Sequence, residues 1–211
     1  MVEDLLRGHD RFLQTYVADE LPYLQRLASD GQSPSTLYIG CSDSRVIPEL
    51  LTQTSPGELF VVRNVANLVP PLVHPDASVG AALEYAVEHL NVQNIVVCGH
   101  YGCGGVKAVL QGLEPLRGLP SLYEWLSPLR PLAESIAESE GGFDERWRRA
   151  VEGNVLVQLR NLFSFAGVEQ RVRAGELFLH GWVYDVYTAE LHVYEPAPDR
   201  FTPARELLTA R

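Results

Sequence analysis

Hydrophobic and polar positions along the chain follow two periods, one typical of helices and one typical of short buried strands. From Val2 to about Leu27, apolar residues recur at a spacing of three and four, which predicts an amphipathic helix ending before the turn-rich SDGQSPS. Three apolar runs come next, each predicting a short buried strand: TLYIGC, ELFVVRN and NIVVCGH. Between the second and third runs, DASVGAALEYAVEHL has a helix-forming composition, with Asp76 as its candidate N-cap.

The order strand, helix, strand with β-branched runs predicts a parallel sheet covered by helices. Further helices are predicted over GVKAVLQ, about 121–139 and 143–166, and GELFLHGWVYDVYTAELHVYE predicts two strands around a turn. The predicted fold is therefore α/β, with a central, mainly parallel β-sheet flanked by helices. An N-terminal helical arm over 1–30, an α/β core over 35–195 and a C-terminal antiparallel hairpin would together form a single domain over 1–211.

Composition excludes several classes of partner. The chain has 211 residues, is 46% hydrophobic and carries a formal net charge of −10, which repels phosphate backbones, so nucleic acid is not an expected partner. No run approaches the roughly 20 apolar residues of a membrane span, and the first residues lack the uninterrupted apolar segment of a secretory signal. We expect a cytoplasmic protein with no membrane partner, and its three cysteines make a disulfide framework unexpected.

Chemistry-bearing residues collect where predicted strands end. Cys41 and His100 each end a predicted strand, and Cys103 follows three residues later in a glycine-rich turn. Parallel neighbours would bring all three to one sheet edge, and two thiolates with one imidazole suit a tetrahedral zinc ion whose fourth position is open. Two packed cysteines and a hydrogen-bonded histidine are the alternative that spacing leaves open. Cys98, inside the apolar run IVVC, is expected to be a buried small hydrophobe.

Other interpretations of CGHYGCGG fit the residues less well. A Walker-type phosphate loop needs a Gly-Lys-Ser/Thr ending, and a dinucleotide loop needs three glycines at a fixed spacing. The segment has neither, and it has no CxxC redox pair. A cysteine phosphatase loop is longer than CSDSR. The sequence therefore favours half of a metal site.

The segment CSDSR adds a carboxylate and a guanidinium beside the first cysteine. In an extended or tightly turned segment, Asp43 and Arg45 project to the same side as Cys41. Asp43 could occupy the fourth metal position, or it could pair with Arg45 and accept a hydrogen bond from a metal-bound hydroxide. Capping of a helix that begins near Val46 is the structural alternative, and it is compatible with either role.

Three segments together, CSDSR, RNVAN and GHYGCGG, closely resemble the β-class carbonic anhydrases. The strong resemblance covers about 32–110, and a weaker one covers 152–162 and 180–186. It implies that one Zn²⁺ per chain is held by Cys41, His100 and Cys103, with Asp43 and Arg45 as a catalytic dyad. The implied reaction is the reversible hydration of CO₂ to bicarbonate and a proton by zinc-bound hydroxide, with activity rising through roughly pH 8.

The resemblance also implies a set of residues around the reaction centre. The residues of the CO₂ and bicarbonate pocket would be Gln32, Phe60, Val65, Tyr85 and the backbone of Gly104. In the family this pocket is completed across a dimer interface, so a homodimer or a higher even-numbered homo-oligomer is expected. His89, four residues after Tyr85 on the predicted helix, is a candidate proton shuttle because an unperturbed histidine titrates near 6.5.

Some bacterial members of this family carry a second, inhibitory bicarbonate site built from Trp, Arg and Tyr. Arg63 and Tyr184 match two of its positions, whereas Tyr38 stands where those members have tryptophan. Two rival functions resemble the same site. One is hydrolysis of CS₂, as in some family members, and the other is a zinc-stabilised binding protein without turnover.

Overall fold

One mixed β-sheet organises the chain. The computed structural model describes residues 1–209; the predicted single domain over 1–211 therefore includes two residues outside the described ones. The six strands lie in the order β2-β1-β3-β4-β5-β6. Their bounds are Thr36–Cys41 (β1), Leu59–Asn64 (β2), Asn94–Tyr101 (β3), Phe178–Asp185 (β4), Leu191–Glu195 (β5) and Arg200–Pro203 (β6).

The pairing of the strands confirms the predicted fold. The strands β2, β1, β3 and β4 pair with their neighbours in parallel. The pairs β4–β5 and β5–β6 are antiparallel. β4 therefore belongs both to the parallel sheet and to the predicted hairpin. The short edge strand β6 was not predicted, and with it the sheet continues past residue 195 to Pro203.

Helices cover the sheet, and two further helices form an arm at the start of the chain. Their bounds are Val2–Gln14 (α1), Tyr16–Asp30 (α2), Pro48–Thr52 (α3), Ala77–Glu84 (α4), Gly104–Leu110 (α5), Pro120–Leu126 (α6), Arg130–Ala137 (α7), Phe143–Leu162 (α8), Ala166–Arg173 (α9) and Ala204–Thr209 (α10). α8 packs across β3 and β4. The main core lies between the sheet and these helices, and a smaller cluster of Tyr38, Val96 and Cys98 lies on the opposite face of the sheet.

The N-terminal arm differs from its prediction. The prediction of one helix from Val2 to about Leu27 is wrong, because the arm consists of two helices separated at Thr15. The backbone N–H and the hydroxyl of Thr15 both donate to the carbonyl of Arg11, which ends α1. α1 has no buried residue, whereas α2 reaches the rest of the chain through Tyr23, whose hydroxyl donates to the carbonyl of Pro56 at 2.7 Å.

Two more helix predictions are corrected in detail. The stretch predicted over 121–139 is broken by a 3₁₀ turn at Ser127–Leu129, because prolines at 128 and 131 lack the N–H that a continuous helix needs. The stretch predicted over 143–166 ends at Leu162, and α9 follows as a separate helix.

The helix that begins after Asp76 confirms its predicted cap. The Asp76 carboxylate accepts from the backbone N–H of Val79 at 2.9 Å. After Glu84 the chain continues as a π-helical turn over Tyr85–His89. None of the helices within residues 1–209 combines the length and apolar character needed to span a bilayer.

Candidate metal centre and active site

Two cysteines and a histidine meet at the C-terminal edge of the sheet. Cys41 ends β1 and His100 lies at the end of the adjacent strand β3, so parallel pairing brings them to one edge. Gly102, with a φ of 80°, turns the chain so that Cys103 returns to the same edge. The ligand atoms of the three side chains all lie within 4.8 Å of one another, and the two sulfur atoms are 4.0 Å apart.

The chemistry of these three side chains fits a metal ion. All three are buried, and Nδ1 of His100 lies 3.1 Å from the carbonyl of Tyr101. A carbonyl only accepts, so Nδ1 carries the proton and Nε2 presents its lone pair. That Nε2 atom is buried and has no hydrogen-bond partner in the part of the chain that the structure describes, which is costly unless a cation occupies the space beside it. The hydrogen bond with Cys103 lowers the pKa of the Cys41 thiol, which favours the thiolate that zinc requires.

Asp43 is paired with Arg45 in this structure. Arg45 donates from Nε to Oδ1 at 2.9 Å, from Nη2 to Oδ2 at 2.7 Å, and from its backbone N–H to Oδ1 at 3.0 Å. These hydrogen bonds hold the pKa of Asp43 well below its usual range, so the side chain is a carboxylate. Its Oδ2 atom lies 3.8 Å from Nε2 of His100. Of the two states that the sequence left open for Asp43, the structure contains the one paired with arginine.

The segment that carries Asp43 is held from the neighbouring strand. Arg63, on β2, donates from Nε to the carbonyl of Cys41 at 3.1 Å and from Nη2 to the carbonyl of Asp43 at 2.7 Å. Arg45 also reaches the carbonyl of Gly102 at 3.4 Å, which joins the two loops of the site. The positions of Cys41 and Asp43 are therefore set by side-chain contacts to backbone carbonyls as well as by the sheet.

The five residues expected around the substrate have different surroundings within one chain. The tilted rings of Phe60 and Tyr85 have centroids 5.8 Å apart, and Tyr85 makes a second tilted ring contact with the exposed His89 at 4.7 Å. Within residues 1–209, no hydrogen bond or ring contact joins this aromatic trio to the cysteines or His100. Gln32 is exposed, and Val65 and Tyr85 retain 38% and 42% of their accessible surface.

Val65 and Gly104 lie near the third candidate ligand, Cys103. Gly104 follows Cys103 directly and begins α5, with no other atom within 4 Å of the place where a Cβ would be. A Cβ on the next residue, Gly105, would come within 3.1 Å of the Val65 side chain. The loop after β2 therefore packs directly on the turn that follows Cys103.

The three residues matched to a regulatory bicarbonate site have different surroundings. Tyr38 is almost fully buried in the smaller core cluster, and its hydroxyl has no hydrogen-bond partner among the described residues. Tyr184 packs against the same cluster. The guanidinium of Arg63, by contrast, is engaged with the carbonyls of Cys41 and Asp43.

Comparison with known proteins gives the family. The family model described as carbonic anhydrase matches residues 36–191, which is most of the chain. This chain belongs to the β-carbonic anhydrase family. It is 35% identical to a carbonic anhydrase of Synechocystis over 213 aligned residues, which cover 99% of this chain and 77% of the relative.

Solved β-carbonic anhydrases share the fold. The structure of the β-carbonic anhydrase CcaA superposes with a TM-score of 0.89 at 36% identity, covering 96% of this chain and 91% of the other. A tetrameric β-carbonic anhydrase of Sordaria macrospora gives a TM-score of 0.80 at 30% identity, covering 91% and 95% of the two chains. The protein is therefore an enzyme with carbonic anhydrase activity, the hydration of CO₂.

Sequence reasoning overlooked the role of α8. Trp147 donates its indole N–H to the carbonyl of Cys103 at 3.1 Å, and Asn154 donates to the carbonyl of Ala66 at 2.9 Å. Gln158 and Asn161 contact Val69 of the same loop. A signal was present, because these side chains recur at intervals of seven, four and three residues, which places them along one side of a helix.

Proposed function

We propose that this β-carbonic anhydrase holds one Zn²⁺ per chain through Cys41, His100 and Cys103, and that Asp43 and Arg45 act as its catalytic pair. The observation that carries the proposal is the buried Nε2 of His100, which has no hydrogen-bond partner among residues 1–209 and belongs to a cluster whose three ligand atoms lie within 4.8 Å of one another. Two thiolates and one imidazole are the ligands of an open catalytic zinc site.

When bound, zinc acidifies a water molecule and so supplies hydroxide as the nucleophile near neutral pH. Asp43 would accept a hydrogen bond from that nucleophile and thereby direct a lone pair toward the carbon of CO₂. Its position supports this role, because Oδ2 lies 3.8 Å from the lone-pair nitrogen of His100. A carboxylate with a depressed pKa accepts hydrogen bonds but does not take the proton permanently.

Arg45 would keep Asp43 in this acceptor state. Its two side-chain hydrogen bonds hold both carboxylate oxygens, and they oppose a rotation of Asp43 into the metal position. Bidentate pairing of this kind fixes geometry as well as charge. Arg45 would therefore protect the open coordination position that the reaction needs.

We assign the substrate pocket to Gln32, Phe60, Val65, Tyr85 and the backbone of Gly104. The apolar side chains would form a wall for uncharged CO₂, while the amide of Gln32 and the N–H of Gly104 would hold charged bicarbonate. His89 is exposed and stacked on Tyr85, so it could exchange a proton with solvent. A bicarbonate site at Tyr38, Arg63 and Tyr184 would require Arg63 to give up its hydrogen bonds to the carbonyls of Cys41 and Asp43.

A homodimer or a higher even-numbered oligomer would complete the pocket. Support comes from the exposure of Gln32, Val65 and Tyr85 within one chain and from the exposed apolar face of α1, which includes Leu5, Leu6 and Phe12. The Sordaria relative is tetrameric. We also propose that the chain forms one domain, as the continuous sheet from β2 to β6 suggests, and that it acts in the cytoplasm, which cell fractionation would test.

Stopped-flow CO₂ hydration from about pH 6.5 to 9, with zinc quantified per chain, tests the proposal. Turnover that rises through roughly pH 8, with about one zinc per chain, would support the mechanism. Turnover without bound metal would contradict the ligand assignment. CS₂ offered to the same preparation would identify a hydrolase for that substrate, as opposed to a CO₂ hydratase.

A further inference from the structure

A stripe of side-chain amides on α8 contacts the loop that carries Val65. We call Asn154, Gln158 and Asn161 the amide stripe. Asn154 is fully buried, Gln158 is 2% exposed and Asn161 is partly buried, which is unusual for amides on a helix that packs on a sheet. Because buried amides are costly unless their hydrogen bonds are made, the partners of the amide stripe show what it does.

The loop after β2 has an unfavourable backbone. Ala66 has a φ of 64° and Asn67 a φ of 49°, so two successive residues with a Cβ lie in the left-handed region that favours glycine. Both residues are buried, and Nδ2 of Asn67 has no partner among the described residues. Such a conformation persists only where surrounding contacts hold it.

The amide stripe supplies part of those contacts, together with Trp125, whose indole N–H donates to the carbonyl of Val65 at 2.8 Å, and Asn64, whose side chain bonds the backbone of Leu68. Asn154 donates to the carbonyl of Ala66 at 2.9 Å, the Oε1 of Gln158 accepts from the N–H of Val69 at 2.8 Å, and Asn161 donates to the carbonyl of Val69 at 2.9 Å. Gln158 also donates to Oδ1 of Asn154 at 2.8 Å, so the stripe is one connected network.

The same helix contacts the other loop of the active site. Two helical turns before Asn154, the indole N–H of Trp147 donates to the carbonyl of Cys103 at 3.1 Å. The two loops meet at Gly105, where an added Cβ would lie a tight 3.1 Å from the side chains of Val65 and Ala66. α8 thus sets the position of the Val65 loop relative to the turn at Cys103.

We infer that the amide stripe is a positioning device for the reaction, which holds the left-handed turn at Ala66–Asn67 so that Val65 forms the pocket wall beside Cys103. The inference rests on the proposed function, because it assigns Val65 to the pocket. Among the described residues, none of the stripe's hydrogen bonds goes to Cys41, His100 or Cys103. Its effect passes through the loop backbone.

The test compares Gln158→Met and Asn154→Ala with Leu162→Val, a control that removes one methylene from a fully buried residue of the same helix. CO₂ hydration is measured well below the unfolding temperature of every variant, together with zinc per chain. We expect both stripe variants to lose about tenfold to a hundredfold in kcat/KM with zinc retained, because small misplacements of a pocket wall are costly. Leu162→Val should lower stability but leave kcat/KM unchanged.

Adding Ala66→Gly to Asn154→Ala sharpens the test, since glycine adopts the left-handed conformation without assistance. Partial recovery of kcat/KM in the double variant is expected. Unchanged turnover in both stripe variants, or equal losses in Leu162→Val, would overturn the inference while leaving the proposed function intact. A wild-type protein that binds zinc but does not hydrate CO₂ would overturn the proposed function and this inference with it.

Discussion

Two regions of the chain place their side chains in opposite ways. One is the sheet edge that carries Cys41 and His100, and the other is the arm formed by α1 and α2. At the sheet edge, the candidate ligands are buried and their loops are bonded to side chains of β2 and α8. In the arm, α1 has no buried residue and leaves Val2, Leu5 and Leu6 exposed. A single chain brings together the candidate ligands of the first region, whereas the apolar face of the second is left exposed by residues 1–209.

The difference indicates which property belongs to the chain and which to the assembly. Buried, hydrogen-bonded ligands are pre-organised, so metal binding should need only one correctly folded chain. An exposed apolar helix face is typical of an interaction site, so the arm should matter for assembly and, through it, for the substrate pocket.

The largest effect is expected from removing a ligand at the sheet edge. Cys41→Ala should reduce zinc from about one per chain to near zero and abolish CO₂ hydration, because two ligands hold zinc poorly. Cys98→Ala is the matched control, since it removes another buried thiol two residues before His100. Metal analysis of both variants checks the result. Equal zinc loss in both would mean that a general loss of folding, and not a ligand role, explains the effect.

The next largest effect concerns Asp43. Asp43→Asn should retain zinc and lower kcat by about 10²-fold or more, because the amide offers a poorer acceptor in place of a charged one. Since Arg45 holds the pKa of Asp43 well below its usual range, the wild-type carboxylate stays ionised above about pH 5 and contributes no acid limb to the profile there. Stopped-flow profiles of both proteins check this. An inflection near pH 6 that disappears in Asp43→Asn would contradict it.

Breaking the arm should change assembly more than metal binding. Replacing Leu5 and Phe12 with glutamate places charges on the apolar face of α1 and should shift the protein toward a species of 23.5 kDa, with lower turnover and zinc retained. Sedimentation velocity measures the mass. Gln14→Glu, a charge on a polar position of the same helix, should leave the mass unchanged. If the double variant keeps the wild-type mass, the arm does not mediate assembly.

Cys98 allows a smaller test of burial at the same strand end. It is fully buried, and burial raises its pKa to about 12, so it should remain a thiol and resist alkylation near pH 8 while the protein is folded. Iodoacetamide labelling followed by peptide mass analysis should detect Cys98 only after urea unfolding. Labelling of Cys98 at urea concentrations too low to unfold the protein would show that this part of the sheet opens readily.

The smallest effect is expected at the cap of α4. Asp76→Ala removes the hydrogen bond to the N–H of Val79 and should lower the free energy of unfolding by about 1 kcal/mol, with turnover nearly unchanged. Urea denaturation measures this loss. The conservative variant Asp76→Ser should recover most of it, and if it does not, the carboxylate has a role beyond capping.

Much of the fold followed from local patterns. The runs TLYIGC and NIVVCGH predicted β1 and β3 because both strands are mostly apolar and are buried after their first residue, and Asp76 predicted the start of α4 through cap chemistry. The break at Thr15 and the short strand β6 escaped prediction. Neither has a strong periodic signal. The break depends on the hydrogen bond from Thr15 to the carbonyl of Arg11, and β6 depends on backbone pairing with β5.

By itself, the sequence determined the ligand types of the metal site and the strands that bring them to one edge, since strand ends and residue chemistry are local properties. Only the tertiary structure decided that Asp43 pairs with Arg45, that Arg63 bonds two loop carbonyls, and that α8 holds the loop at Ala66. These contacts join residues that are distant in sequence or depend on side-chain orientation. Their partners become defined only when the sheet and its helices have packed.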